Sequence, residues 1–95
     1  MIMSIGRFVV DPAQRTAFQS FAEQLAEHER RAPGCLMFGI YEDVNEPDHF
    51  IMLEQWVDQE LLEEHILTEE FDRNEERLLG FVVGEPSWDD YEFEV

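Results

Sequence analysis

The chain contains no lysine. Its 95 residues carry 6 basic side chains, all arginine, against 23 aspartates and glutamates, for a formal net charge of -17 at pH 7. Nucleic acids and anionic membranes are polyanions, so this balance argues against both as partners. Cysteine occurs once, as Cys35, which excludes an intramolecular disulfide and a cysteine-only metal site. It follows Pro33-Gly34 and opens an apolar run, the setting of a small buried thiol. His-x-His and Cys-x-x-Cys spacings are missing, and the many acids read as a solvated surface, so no metal is expected. No apolar run approaches the roughly 20 residues that span a bilayer. The start Met1-Ile2-Met3-Ser4-Ile5-Gly6-Arg7 has no basic region ahead of an apolar stretch, so no signal peptide is expected and the chain reads as soluble and cytoplasmic.

Apolar residues make up 44% of the chain, enough for one packed domain over residues 1–95. A domain this small buries a modest share of its surface, and a partner subunit would add to it. The acids are spread along the whole length rather than gathered in a tail. Self-repulsion at this density weakens a fold in dilute buffer and is screened by salt, which suggests adaptation to high cytoplasmic salt.

Ile2 to Val10, rich in Ile, Val and Phe, reads as a first strand. Asp11 and Pro12 supply an N-cap and a first helical position. Ala17, Phe18, Phe21, Ala22 and Leu25 then form an apolar stripe, with Gln19, Glu23, Glu27 and Arg30 on the other face. Pro33-Gly34 closes the helix. Cys35 to Glu42 and Phe50 to Val57 make a hairpin around the turn Asn45-Glu46-Pro47-Asp48. Asp58 caps a helix from about Gln59 to Leu67, and Thr68 caps another to about Leu79. Gly80, Gly84 and Pro86 break the pattern, and Tyr91 to Val95 alternates as a last strand. The order β-α-β-β-α-α-β is that of a ferredoxin-like α+β fold. Right-handed crossovers put the helices on one face of the sheet. Yet Phe50, Met52, Glu54 and Trp56 alternate with Ile51, Leu53, Gln55 and Val57, and Leu36, Phe38 and Ile40 with Cys35, Met37 and Tyr41. Both faces are largely apolar, and the simplest cover for the second is the same sheet of another copy, a homodimer.

His65 lies four residues after Leu61 and three after Leu62, on the inward face of its helix, close to the strand end that carries Glu54 and Trp56. An imidazole there can move protons near neutral pH, and it also fits a core histidine with one structural hydrogen bond. Glu54 needs a partner if buried, with Arg7, Arg77 or His65 as candidates. Glu75, four after Phe71 and three before Leu78, is a second acid or a rim charge. His28 and His49 have no evident mate and read as surface residues.

Ala32-Pro33-Gly34-Cys35, and above all Leu53-Glu54-Gln55-Trp56 followed by His65 and Phe71, resemble the antibiotic biosynthesis monooxygenase family of dimeric α+β barrel proteins, which includes the small quinol monooxygenases. The resemblance implies a pocket between helices and sheet, in which a quinol or phenol is oxidised by O2 without metal, flavin or other cofactor. It implies His65 as the base and Glu54 as its partner or a ligand of a substrate hydroxyl. Trp56 and Phe71 would wall the pocket beside Met52, Arg7 would steady an anion, and Glu75 would stand at the rim. Some departures are plain. Glu70 stands where relatives often have His, and Met52 where aromatic polyketide oxygenases have Asn. Gly6, His65 and Glu75 stand near the places of the haem-degrading triad, which is therefore absent. The alternatives are a non-catalytic binding or regulatory dimer, and an isomerase with His65 as proton shuttle.

If the acidity is an adaptation to salt, the unfolding midpoint should rise as KCl is raised from dilute to molar. A thermal or urea melt whose midpoint stays level or falls would show that it is not.

Overall fold

The computed structural model describes residues 1–94. Strand β1 (Ile2–Val10) leads into a single 3-10 turn (Pro12–Gln14) and helix α1 (Arg15–Glu29). The Asp11 side chain accepts from the Ala13 N–H at 3.0 Å, so the cap is made and the first turn is merely tighter than α-helical. Strands β2 (Cys35–Glu42) and β3 (His49–Trp56) follow, then α2 (Gln59–Ile66), α3 (Glu69–Leu79) and β4 (Val82–Glu92). Asp58 accepts from Leu61 N at 2.9 Å and Thr68 from Phe71 N at 3.1 Å, and these two caps set where α2 and α3 begin. Among the described residues no helix is long and apolar enough to cross a membrane.

The sheet order is β2-β3-β1-β4 with every pairing antiparallel, the ferredoxin-like arrangement of an α+β fold. Period-two alternation turns Ile2, Phe8 and Val10 of β1 and Phe50, Met52 and Trp56 of β3 toward the helices, where all are buried. Phe18, Phe21 and Leu25 of α1 meet them at helical spacing. The centre of the core is aromatic: Phe18 packs against Phe50 at 4.8 Å between ring centroids and against Phe81 at 5.7 Å. A smaller cluster of Ile2, Trp56 and Leu62 fills the other end, under α2. Arg15 clamps the β2–β3 hairpin to α1 through Glu42 and, at 3.0 Å, Asp48.

Two expectations need correction. The last strand is not Tyr91 to Val95. It begins at Val82 and runs through Gly84 and Pro86 to Glu92, and Val95 lies outside the described residues. The strand is at the sheet edge, paired with β1 alone, so Pro86 need not donate into a second ladder. Gly84 takes φ +74 close to the register shift opposite Arg7 and Val9, a bulge that only glycine accommodates cheaply. The alternation of β2 is also broken, by a register shift between Cys35 and Met37. Cys35 therefore packs against the core on the same side as Phe38, while Leu36 is exposed.

The sheet face without helices carries Ile5 paired with Leu53, and Ile51 between Arg7 and Tyr41, with Val83, Tyr41 and Tyr91 about half exposed. Among the described residues no helix packs over this face as the helices do over the other.

Candidate active site

Cross-strand register builds the floor of a cavity. Phe38, Glu54, Ser4 and Asp90 are paired in one row across β2, β3, β1 and β4, all facing the helices. In the next row Met52 and Trp88 flank Gly6, and a side chain at Gly6 would collide with the Trp88 ring. Leu25 and Glu29 of α1, Leu62 of α2, and Phe71, Asn74 and Glu75 of α3 close the space to a cavity of about 210 Å³. Its wall is mostly apolar, with the carboxylates of Glu29, Glu54, Glu75 and Asp90 set into it.

Glu29 is the one buried charged residue among those described. It is the last residue of α1 and lies four positions after Leu25, on the stripe that faces inward. Its Oε2 is 2.5 Å from Nε2 of His65, and the two side chains are only 5% and 10% exposed. The distance is that of an ion pair. Nε2 nevertheless makes no well-aligned hydrogen bond, and the contact is one of charge pairing. The imidazole packs on Trp56 with ring centroids 4.8 Å apart and planes tilted by 33°, and it meets the Phe71 ring edge-on at 5.7 Å. Glu29 raises the His65 pKa and outweighs the opposing effect of burial. That stabilisation is complete below the pKa of an unfolded histidine and is lost as pH climbs through the raised folded value.

Glu54 has a different partner. Its Oε1 accepts from Trp56 Nε1 at 3.1 Å, two residues along the same face of β3. Burial pushes its carboxyl up to about 7, and the indole N–H only partly offsets this. A carboxyl poised there, facing an apolar cavity, can hold or release a proton near neutral pH.

The structure thus separates residues that the sequence groups. Glu54, Met52, Phe71 and Glu75 line the cavity. His65 stands behind Glu29 rather than in the wall, and its Nε2 is turned to Glu29, not Glu54. Trp56 does not wall the cavity: it is fully buried beneath His65, and Trp88 takes the wall position. Arg7 does not face the cavity either. It points from the opposite side of the sheet, 3.5 Å from Asp89, because its place in β1 alternates with those of Gly6 and Phe8. His28 and His49 are exposed, beside Glu70 at 2.7 Å and Glu46 at 3.4 Å. Cys35 is half-buried, and desolvation raises its thiol pKa. Among the described residues no group of three or more His, Cys, Asp and Glu is arranged to hold a metal ion.

Glu29, Ser4, Trp88 and Asp90 are absent from the sequence-based candidates. Glu29 carries a signal, its spacing from Leu25. Ser4 carries a weaker one, as a polar residue on the inward face of an apolar strand. Trp88 and Asp90 lie in a segment that glycine and proline make look irregular.

The model of the family described as antibiotic biosynthesis monooxygenase matches residues 1–77. The chain belongs to that family. It is 34% identical over 71 residues to YcnE of Bacillus subtilis, whose name assigns it provisionally to the monooxygenases, and the match covers 75% of each chain. Among solved structures, a Deinococcus radiodurans protein assigned to the same family superposes with a TM-score of 0.91 at 21% identity, over 100% of this chain and 94% of the other. SnoaB of Streptomyces nogalater, a cofactor-independent oxygenase, superposes with a TM-score of 0.85 at 15% identity, over 99% and 93%. At these identities the superpositions establish a shared fold.

The raised Glu54 pKa makes a signed prediction. A carboxyl whose folded pKa exceeds its unfolded one stabilises the fold below the unfolded value and loses that contribution as pH rises through about 7. Glu54→Gln keeps an oxygen for the indole N–H and removes the charge. It should match the native chain near pH 4 and be more stable above about pH 8, by roughly 1–3 kcal/mol. Urea unfolding at fixed KCl across that range measures it; equal stability at high pH would show that Glu54 is not held near neutrality by burial.

Proposed function

We propose that this chain is a cytoplasmic, cofactor-independent monooxygenase that oxidises a quinol-like or phenolic compound with O2. The observation that carries the reading is the Glu54 carboxyl, poised near neutrality in the wall of an apolar cavity. A phenol bound there gives its proton to the Glu54 carboxylate. The resulting phenolate is electron-rich enough to reduce O2 directly, so the substrate supplies every electron. One oxygen atom enters the ring and the other leaves as water, so a phenol gives a quinone and a quinol gives a hydroxylated quinone. Phe71 and Trp88 offer the reacting ring aromatic surfaces. His65 acts through Glu29, holding a second carboxylate at the wall, and is a positioning residue in this scheme. Family membership and the oxygenase named among the structural neighbours support the reaction class.

O2 uptake with a panel of quinols in molar KCl, corrected for spontaneous oxidation, tests this. The enzymatic rate should rise as pH passes about 7, and Glu54→Gln should lose about a hundredfold or more in kcat/KM while remaining folded. A Glu54→Gln chain that oxidises quinols as fast as the native one would rule out Glu54 as the base.

The reading includes a homodimer formed through the open sheet face. Ile5, Ile51 and Leu53 present an apolar surface there that a second copy covers with its own. Sedimentation velocity at micromolar concentration in molar KCl should show twice the chain mass, and a single-chain mass would overturn this assignment.

A further inference from the structure

The cavity has an unusual balance of polar groups. Among its described lining residues, Glu29, Glu54, Glu75 and Asp90 are acids, and none is arginine or histidine. The cations are engaged elsewhere. Arg7 faces Asp89 across the sheet, Arg15 holds Glu42 and Asp48, and Arg30 donates to the Phe38 carbonyl at 3.0 Å. Arg31 pairs with Glu27 at 2.7 Å, Arg73 lies 3.8 Å from Glu69, and Arg77 covers the Phe21 ring. Two neutral donors near the cavity are also spent. Ser4 Oγ donates to Asp90 Oδ1 at 2.7 Å and Trp56 Nε1 donates to Glu54. Asn74 brings the one side-chain amide to the lining, and Trp88 the one indole N–H.

We infer that this cavity reads its ligand by the ligand's own hydrogen-bond donors: it takes an uncharged, reduced aromatic diol and rejects both the oxidised quinone and any aromatic bearing a carboxylate or phosphate. Ionised carboxylates accept hydrogen bonds and donate none. A diol hydroxyl therefore meets partners on the wall, whereas a quinone carbonyl and a carboxylate wall are both acceptors and gain nothing from each other. A ligand anion is worse placed, because it would lie beside four carboxylates, Glu75 and Asp90 exposed at the rim and Glu29 and Glu54 deeper, and His65 answers Glu29 alone, from behind it. Glu54, ionised above about pH 7, strengthens the discrimination there. The inference deepens the proposed oxidation and rests on that reading: the site would hold the reduced substrate and let the oxidised product go. It also speaks against phosphorylated substrates.

Anaerobic isothermal titration calorimetry in molar KCl, at a pH well above neutral, tests this with two matched pairs. Durohydroquinone should bind at least about tenfold tighter than duroquinone, and methyl gentisate at least about tenfold tighter than gentisate. Molar salt shortens screening to about 3 Å, so the overall negative charge of the chain contributes little. Glu75→Gln and Asp90→Asn should each narrow the ester-to-acid gap by about threefold or more, while Glu23→Gln, on the exposed face of α1, should leave it unchanged. Quinone bound as tightly as quinol, or acid as tightly as ester, overturns the inference. So does a gap that neither cavity variant narrows, and so does an absence of binding by all four compounds. O2 uptake separates the two readings. Selective binding without uptake removes the oxygenase and leaves the selectivity standing, and uptake without selectivity does the reverse.

Discussion

A carboxylate buried at the end of α1 is the constraint around which the site is organised. Glu29 sits on the inward stripe of its helix, and an ionised carboxylate there is costly unless a charge answers it. His65 answers it from α2, and the imidazole is itself fixed by packing on Trp56 at the end of β3. The pair therefore ties α1, α2 and the sheet together at one point. Removing His65 would leave a buried negative charge unpaired, and removing Glu29 would leave a buried imidazole facing a void. The same contact decides which groups reach the cavity. With the imidazole turned to Glu29, four carboxylates rather than a histidine face the space between helices and sheet.

Charge is distributed in two ways that serve different ends. Over most of the surface the acids are exposed and surround a conventional aromatic core. Along the cavity wall Glu29 and Glu54 are withdrawn from solvent, and there their surroundings differentiate them. Glu29 has a cation against it, while Glu54 has only an indole N–H and a low-dielectric setting that favours its protonated form. Two identical side chains thus take different roles, one lending a fixed charge and the other a proton site. The arginines stabilise corners and helix faces, as Arg15 does between α1 and the hairpin, and leave the cavity without a cation.

Much of the fold was legible because local chemistry announces it. Asp11, Asp58 and Thr68 are caps by composition and caps in the structure. The stripe of Phe18, Phe21 and Leu25 marks the buried face of α1 without any knowledge of what lies beneath. β4 was not legible in the same way. Gly84 and Pro86 suit turns, and only the neighbouring β1, pairing along one edge, makes an extended strand of the segment that contains them. Trp88 and Asp90 were hidden with it. The bulge at Cys35 likewise depends on the register of β3, which periodicity within β2 does not contain.

The amino-acid sequence by itself determined the element order, the caps, the apolar faces, the extreme acidity and the family to which the chain belongs. These follow from spacing and side-chain type, which act over a few residues or over the whole composition. Tertiary structure alone decided the partners: that His65 faces Glu29 and Glu54 faces Trp56, that Trp88 rather than Trp56 walls the cavity, and that Arg7 lies on the far side of the sheet. Each of these depends on cross-strand register and helix docking between segments far apart in the chain, and one residue of register exchanges the two faces of a strand.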